Sequence, residues 1–112
     1  MYSTYSMSQD IFTINLNLKD FDDEAFTLHL LEIVNKSKLS KLICNLSSVD
    51  VISQNNIKQI ETLVQLLQFN NIQTIVCGVN AYSASVLFHF LDNFNFKTAL
   101  NIQRAIDDFQ NS

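Results

Sequence analysis

Residues 72–79 read IQTIVCGV, and the fold turns on how this stretch is read. Isoleucine, threonine and valine dominate it, and β-branched side chains suit the pleated surface of a sheet. The stretch predicts a strand, with Gly78 near its end, where a turn or a close backbone approach would use it. Working back along the chain, residues 41–46 (KLICNL) form a second short apolar run and predict a buried strand. Between the two runs, Ile57, Ile60, Leu63, Val64 and Leu67 recur at helical spacing. Further back, Ile14, Leu16 and Leu18 alternate with polar residues in IFTINLNL, which predicts a half-buried strand over residues 11–18. Asp20, Asp22 and Asp23 then place acidic side chains where a helix would begin, the end at which the macrodipole favours them. A helix is expected from about residue 23 to 36, carrying Ala25, Phe26, Leu28, Leu31 and Val34, with Lys36 and Lys38 at its end. Beyond Gly78, residues 81–93 predict a third helix and 96–99 a short last strand. Residues 102–109 predict a closing helix capped by Asn101.

Strand and helix therefore alternate, and alternation of this kind means an α/β domain with a largely parallel sheet covered by helices. The expectation is one domain over residues 1–112, a mixed, mostly parallel sheet of four to five strands with about four helices. The opening MYSTYSMSQD fits both a paired edge strand and a free segment.

Composition narrows what such a domain can do. Hydrophobic residues make up 47% and charged residues 16%, so the chain has the means to bury a core. The longest uncharged apolar runs, near residues 63–67 and 86–91, fall far short of the ~20 residues of a membrane span. No basic segment precedes an apolar one at the start, so a cytoplasmic protein without direct membrane insertion is expected. The net charge is −4 and the seven Lys and Arg are scattered singly, which argues against nucleic acid as a partner. A single glycine excludes the Gly-rich phosphate loops of common nucleotide folds.

Chemistry is sparse. Cys44 and Cys77 each sit in an apolar run without a second cysteine or histidine at metal spacing, and are read as buried, reduced packing residues. Asp22, Asp23, Glu24, Asp107 and Asp108 read as solvated charge. His29 and His89 have no second His or Cys at i+3 or i+4 to make a metal site, and His89 lies among Phe88, Phe90 and Leu91 as a packed side chain. No metal and no cofactor is expected, and no catalytic residue is assigned. The one stretch that stands out is SSVDVISQNNIKQIETLV, residues 47–64. A polar loop leaving the C-terminal end of a buried strand and entering a helix is where α/β sheets expose functional groups. Ser47, Ser48, Asp50, Ser53, Gln54, Asn55, Asn56 and Lys58 lie on it. A phosphate there would add about −1.5 to −2 of charge and could switch a protein contact; alternatively, Ser53 only caps the helix.

The run from Leu46 to Ile52 (LSSVDVI), followed by a polar pair and a helix, resembles the core motif of STAS domains (sulphate transporter and anti-sigma factor antagonist). In that family an apolar strand ending in D-L-S/T-x-V leads to x-x-I/M-D-S/T at a helix start. Residues 75–79 (IVCGV) resemble the family's I-L-x-G-I strand, and Ala84, Val86, Leu87 and Phe90 match the apolar positions of the following helix. KTALNI at residues 97–102, with Ala105 and Ile106, is similar to the T-A-L-x-L-x-x-A-L ending. The likeness covers nearly the whole chain and is nearest to the short free-standing scaffold proteins of the bacterial stressosome.

The resemblance implies a non-catalytic cytoplasmic regulator in stress signalling that forms homo- or hetero-oligomers with other STAS proteins. It further implies contact with a serine kinase or an anti-sigma or switch protein, and phosphorylation in the loop before the second long helix. Residue by residue, however, the family's Asp falls on Ser53 and its phosphoacceptor Ser or Thr falls on Gln54, while Asn45 replaces the Asp that usually ends the strand. Either Ser53 takes the phosphate after a one-residue slip, or the switch is degenerate and the chain is a fixed scaffold; loss is favoured, because Gln54 cannot accept phosphate. Two other roles stay open on the sequence. One is an accessory STAS subunit of a membrane transport complex. The other is a small ligand-binding protein or enzyme using His89 or the Ser53 loop.

Overall fold

A computed structural model describes residues 1–90 and 96–111, with side chains for 1–85 and 96–111. Five strands form one sheet in the order β1 (Thr4–Ser8), β2 (Ile11–Asn15), β3 (Lys41–Asn45), β4 (Gln73–Cys77), β5 (Lys97–Ala99). β2 to β5 run parallel and β1 is antiparallel to β2. The helices are α1 (Phe26–Ser37), α2 (Gln54–Phe69), α3 (Ala81–Phe90) and α4 (Ile102–Gln110). The expected α/β class, the mixed sheet and the four helices are all present.

Because the strands advance in one direction across the sheet, right-handed crossovers carry the connecting helices to one face. There Phe26, Leu30 and Val34 of α1 and Ile57, Ile60, Leu63, Val64 and Leu67 of α2 bury Phe12, Ile14, Leu42, Cys44 and Val76 of the sheet. On the other face Ala105 and Phe109 of α4 cover Ile11, Ile43, Ile75 and Cys77. The register sets Cys44 opposite Val76 and Asn45 opposite Cys77, so the two thiols point to opposite faces and stay free. Burial pushes the Cys44 thiol up to about 12, helped by the nearby Cys77, and burial pushes Cys77 up to about 11. Both therefore remain protonated packing groups, as their apolar runs indicate.

Boundaries differ where side chains find better partners than the pattern suggests. β2 ends at Asn15, because Asn17 Oδ1 accepts the Lys19 N–H at 3.0 Å and turns the chain into a 3₁₀ segment, Leu18–Asp22. α1 opens at Phe26, three residues later than the acidic cluster predicts. The reading of Asp20 as a helix-start charge is wrong. Its side chain is buried and accepts the N–H groups of Tyr2 (2.8 Å) and Ser3 (2.7 Å) and the Ser3 hydroxyl. Asp20 thus anchors the start of β1, and MYSTYSMSQD is resolved as a paired edge strand. His89, Phe88, Phe90 and Leu91, expected to pack within the third helix, lie outside the described side chains, as do residues 91–93 of that predicted helix.

The Asp20 anchor makes an acid-sensitive contribution. Burial alone would raise its pKa, but the Ser3 hydroxyl and the two N–H groups favour the charged form more, and the net shift is downward. A lowered folded pKa means stability that is present above the unfolded value of about 3.9 and lost as pH falls through the lower folded value. Asp20→Asn is expected to cost about 1–3 kcal/mol at neutral pH. It should also flatten the loss of stability as pH falls below about 4. Urea titrations at several pH values check both; equal acid slopes for the two proteins would refute the anchor.

Candidate functional site

The site is built at the C-terminal end of the parallel strands, where β3 gives way to the loop 46–53. Asn45, buried at the last position of β3, donates through Nδ2 to Asn15 Oδ1 (2.8 Å) and to Ser47 Oγ (2.9 Å). The Ser47 N–H returns to Asn45 Oδ1 at 3.3 Å. One amide therefore ties the ends of β2 and β3 to the first turn of the loop. Leu46 N–H donates to Cys77 O at 2.9 Å and Val49 N–H to Leu46 O at 2.9 Å, which fixes that turn against β4. Ile52, 3% exposed, plugs the loop's end into the core.

Asn80 supplies the other restraint. Its Oδ1 accepts the Ser83 N–H at 2.8 Å and so caps α3, while its Nδ2 donates to Asp50 O at 2.7 Å and Val49 O at 3.3 Å. Capping a helix with one end of an amide and holding a loop with the other makes the loop a fixed surface.

Ser53 is the N-cap of α2. Its Oγ accepts the Asn56 N–H at 3.1 Å, and its own N–H donates to Asn56 Oδ1 at 3.1 Å, a reciprocal capping box. The Ser53 hydroxyl also donates to Asn56 Oδ1 at 2.8 Å. These contacts are to an amide, so nothing here raises the hydroxyl's nucleophilicity as an adjacent general base would. Gln54 and Asn55 follow, both exposed on the first turn of α2, and Lys58 is exposed one turn on. Asn56 is half-buried, its Nδ2 on Gln59 Oε1 at 3.0 Å. Ser53, Gln54, Asn55 and Asn56 are thus brought together on one helical turn. Asp50 and Ser48 are exposed on the approach, and Ser47, also exposed, turns its Oγ to Asn45. His29 is exposed on the first turn of α1, and no group of three metal-ligating side chains occurs among the described residues.

Two residues that shape the site escape the linear reading, Asn15 and Asn80, whereas Gly78, expected at a turn or close backbone approach, is found at one. Asn80 had a signal, since it precedes Ala81 as Asn101 precedes Ile102, and both are helix caps. Val51 in the loop after β3, Tyr82 in the first turn of α3 and Leu100 just after β5 are 63%, 64% and 74% exposed, and Gly78 N–H joins Leu100 O at 3.2 Å. They give this end of the sheet apolar contact area around a polar loop.

Comparison with known proteins agrees with the fold. Solved structures of similar fold include a variant of RsbS from Moorella thermoacetica, at 18% identity and TM-score 0.80 over 99% of this chain and 97% of that one. A chain from the stressosome, described as a signal integration and transduction hub, shares 19% identity with TM-score 0.81 over 96% of each chain. The protein TM1081, solved by NMR, shares 17% identity with TM-score 0.76 over 96% of this chain and 88% of that one. No curated protein matches in sequence. No described helix is long and apolar enough to cross a membrane. Residues 7–108 match the STAS domain, and the chain belongs to the STAS family.

Proposed function

We propose that this chain is a non-catalytic regulatory STAS protein of the anti-sigma factor antagonist or stressosome scaffold type, acting in the cytoplasm through protein contacts. The loop 46–53 and the first turn of α2 are its partner surface, and its phosphorylation switch is lost. One observation carries the reading: the exposed first residue of α2, where the family motif places its phosphoacceptor, is Gln54, and the serine before it is committed to a capping box. The loop's double restraint by Asn45 and Asn80 favours recognition of a fixed shape, and Val51, Tyr82 and Leu100 provide the apolar area that protein contacts use. The likeness to RsbS and to a stressosome chain supports partners of the same family.

The test is co-expression with the STAS proteins and serine kinase encoded nearby, followed by solution size and intact mass. Co-assembly without added phosphate is the expected result. A phosphate mapped to Ser53 would overturn the loss of the switch, and a chain that joins no STAS protein in any mixture would overturn the scaffold reading.

A further inference from the structure

The two edges of the sheet are unlike. β5 is three residues long and opens on Lys97, a short and charged edge of the kind that resists pairing. β1 is five residues, TYSMS, all exposed, without charge, proline or bulge. We propose that β1 is a pairing edge for a second copy of this chain, extending the sheet across a two-fold axis at Ser6.

The register makes β1 self-complementary. Gln9 and Asp10, at φ 56° and 64°, close the β1–β2 hairpin as a two-residue loop of the mirror-image type, and Ser8 pairs with Ile11 beside it. In such a hairpin Ser8, Ser6 and Thr4 exchange hydrogen bonds with β2, which turns the N–H and C=O groups of Tyr5 and Met7 outward. Antiparallel pairing about Ser6 then sets Tyr5 opposite Met7 of the second copy, and Met7 opposite its Tyr5. Both backbone groups of each residue find partners. Tyr5 and Met7 share the sheet face of Ile14 and Phe12, where the Tyr5 ring stacks on Phe12 at 5.0 Å. Pairing covers these two side chains, 42% and 55% exposed, with a thioether laid against a ring on each side.

The Asp20 anchor on Tyr2 and Ser3 keeps this strand in place before it meets its partner. An edge of five residues is a small interface, so the dimer belongs to the weak, micromolar class.

This inference deepens the proposed oligomeric scaffold, on which it rests, and sedimentation velocity over a concentration series separates the two. The expected result is a concentration-dependent dimer that Met7→Lys weakens at least about tenfold, by placing a charge on the edge, with an unchanged melting curve. Phe69→Lys, at an 87% exposed site on the far end of α2, should leave the dimer intact. A chain that stays monomeric at high concentration yet still joins STAS partners overturns the β1 pairing and leaves the proposed function standing. A dimer sensitive to Met7→Lys in a chain that joins no STAS partner supports the pairing and overturns that function. A dimer indifferent to Met7→Lys overturns the pairing.

Discussion

Gly78→Ala is expected to remove about 3–5 kcal/mol of stability, a large share of the ~5–15 kcal/mol that holds a domain of this size. Two separate costs add. Gly78 sits at φ +77°, in the left-handed region where a Cβ costs about 1–2 kcal/mol. The new Cβ would also lie 2.4 Å from Asn45 Oδ1 and 3.0 Å from the Ser47 backbone nitrogen. Neither neighbour can step aside freely: Asn45 is buried and bonded to Asn15 and Ser47, and Ser47 is held by that same amide. Relief therefore means breaking the network that joins β2, β3 and the loop. The melting temperature should fall by at least about 12 °C, taking the lower end of the cost. A double-mutant cycle with Asn45→Ala isolates the contact, because removing the amide leaves only the backbone strain and the Ser47 crowding. The double variant should be more stable than the sum of the single losses by about 1 kcal/mol or more. Independent, additive losses would show that the close approach is not what fixes glycine here.

That contact also shows where linear reading stops. The strands β3 and β4, the helix α2 and the cap at Asn101 were legible because each is decided by a local pattern: β-branched runs, helical spacing of Ile57 to Leu67, an asparagine before an apolar helix. Ser53 as a cap was legible for the same reason. Long-range polar pairings carry no such pattern. Asp20 reads as one of several helix-start acids, yet its partners are Tyr2 and Ser3, eighteen and seventeen residues away in sequence. Asn45 reads as a substituted family position, but its partner Asn15 is thirty residues distant. The requirement for glycine at 78 comes from Asn45 and Ser47, not from anything adjacent in sequence. The strand β1 is ambiguous in the linear pattern because its alternation, Tyr5 and Met7 between serines, is short and its stabilisation comes from outside, from the Asp20 anchor.

Gln54→Ser is expected to restore a phosphoacceptor. In the presence of a serine kinase that modifies related STAS proteins, the variant should gain one phosphate while the wild-type chain gains none. The position suits the group: Gln54 is exposed at the first turn of α2, where free N–H groups and the helix dipole favour negative charge. An added phosphate should therefore leave the fold intact, and the unphosphorylated variant should melt close to wild type, since exposed substitutions of this kind stay within about 0.5 kcal/mol. The consequence falls on binding instead. A charge of about −2 at the centre of the proposed partner surface opposes any partner that docks Val51 and Tyr82 in an apolar contact. The phosphorylated variant should lose co-assembly that wild type and unphosphorylated variant both keep. Adding Ser53→Ala tells the two serines apart: the phosphate should persist, with only the cap's contribution of about 1 kcal/mol lost. If the phosphate disappears with Ser53→Ala, or appears on the wild-type chain at Ser53, the switch has moved by one residue and has not been lost.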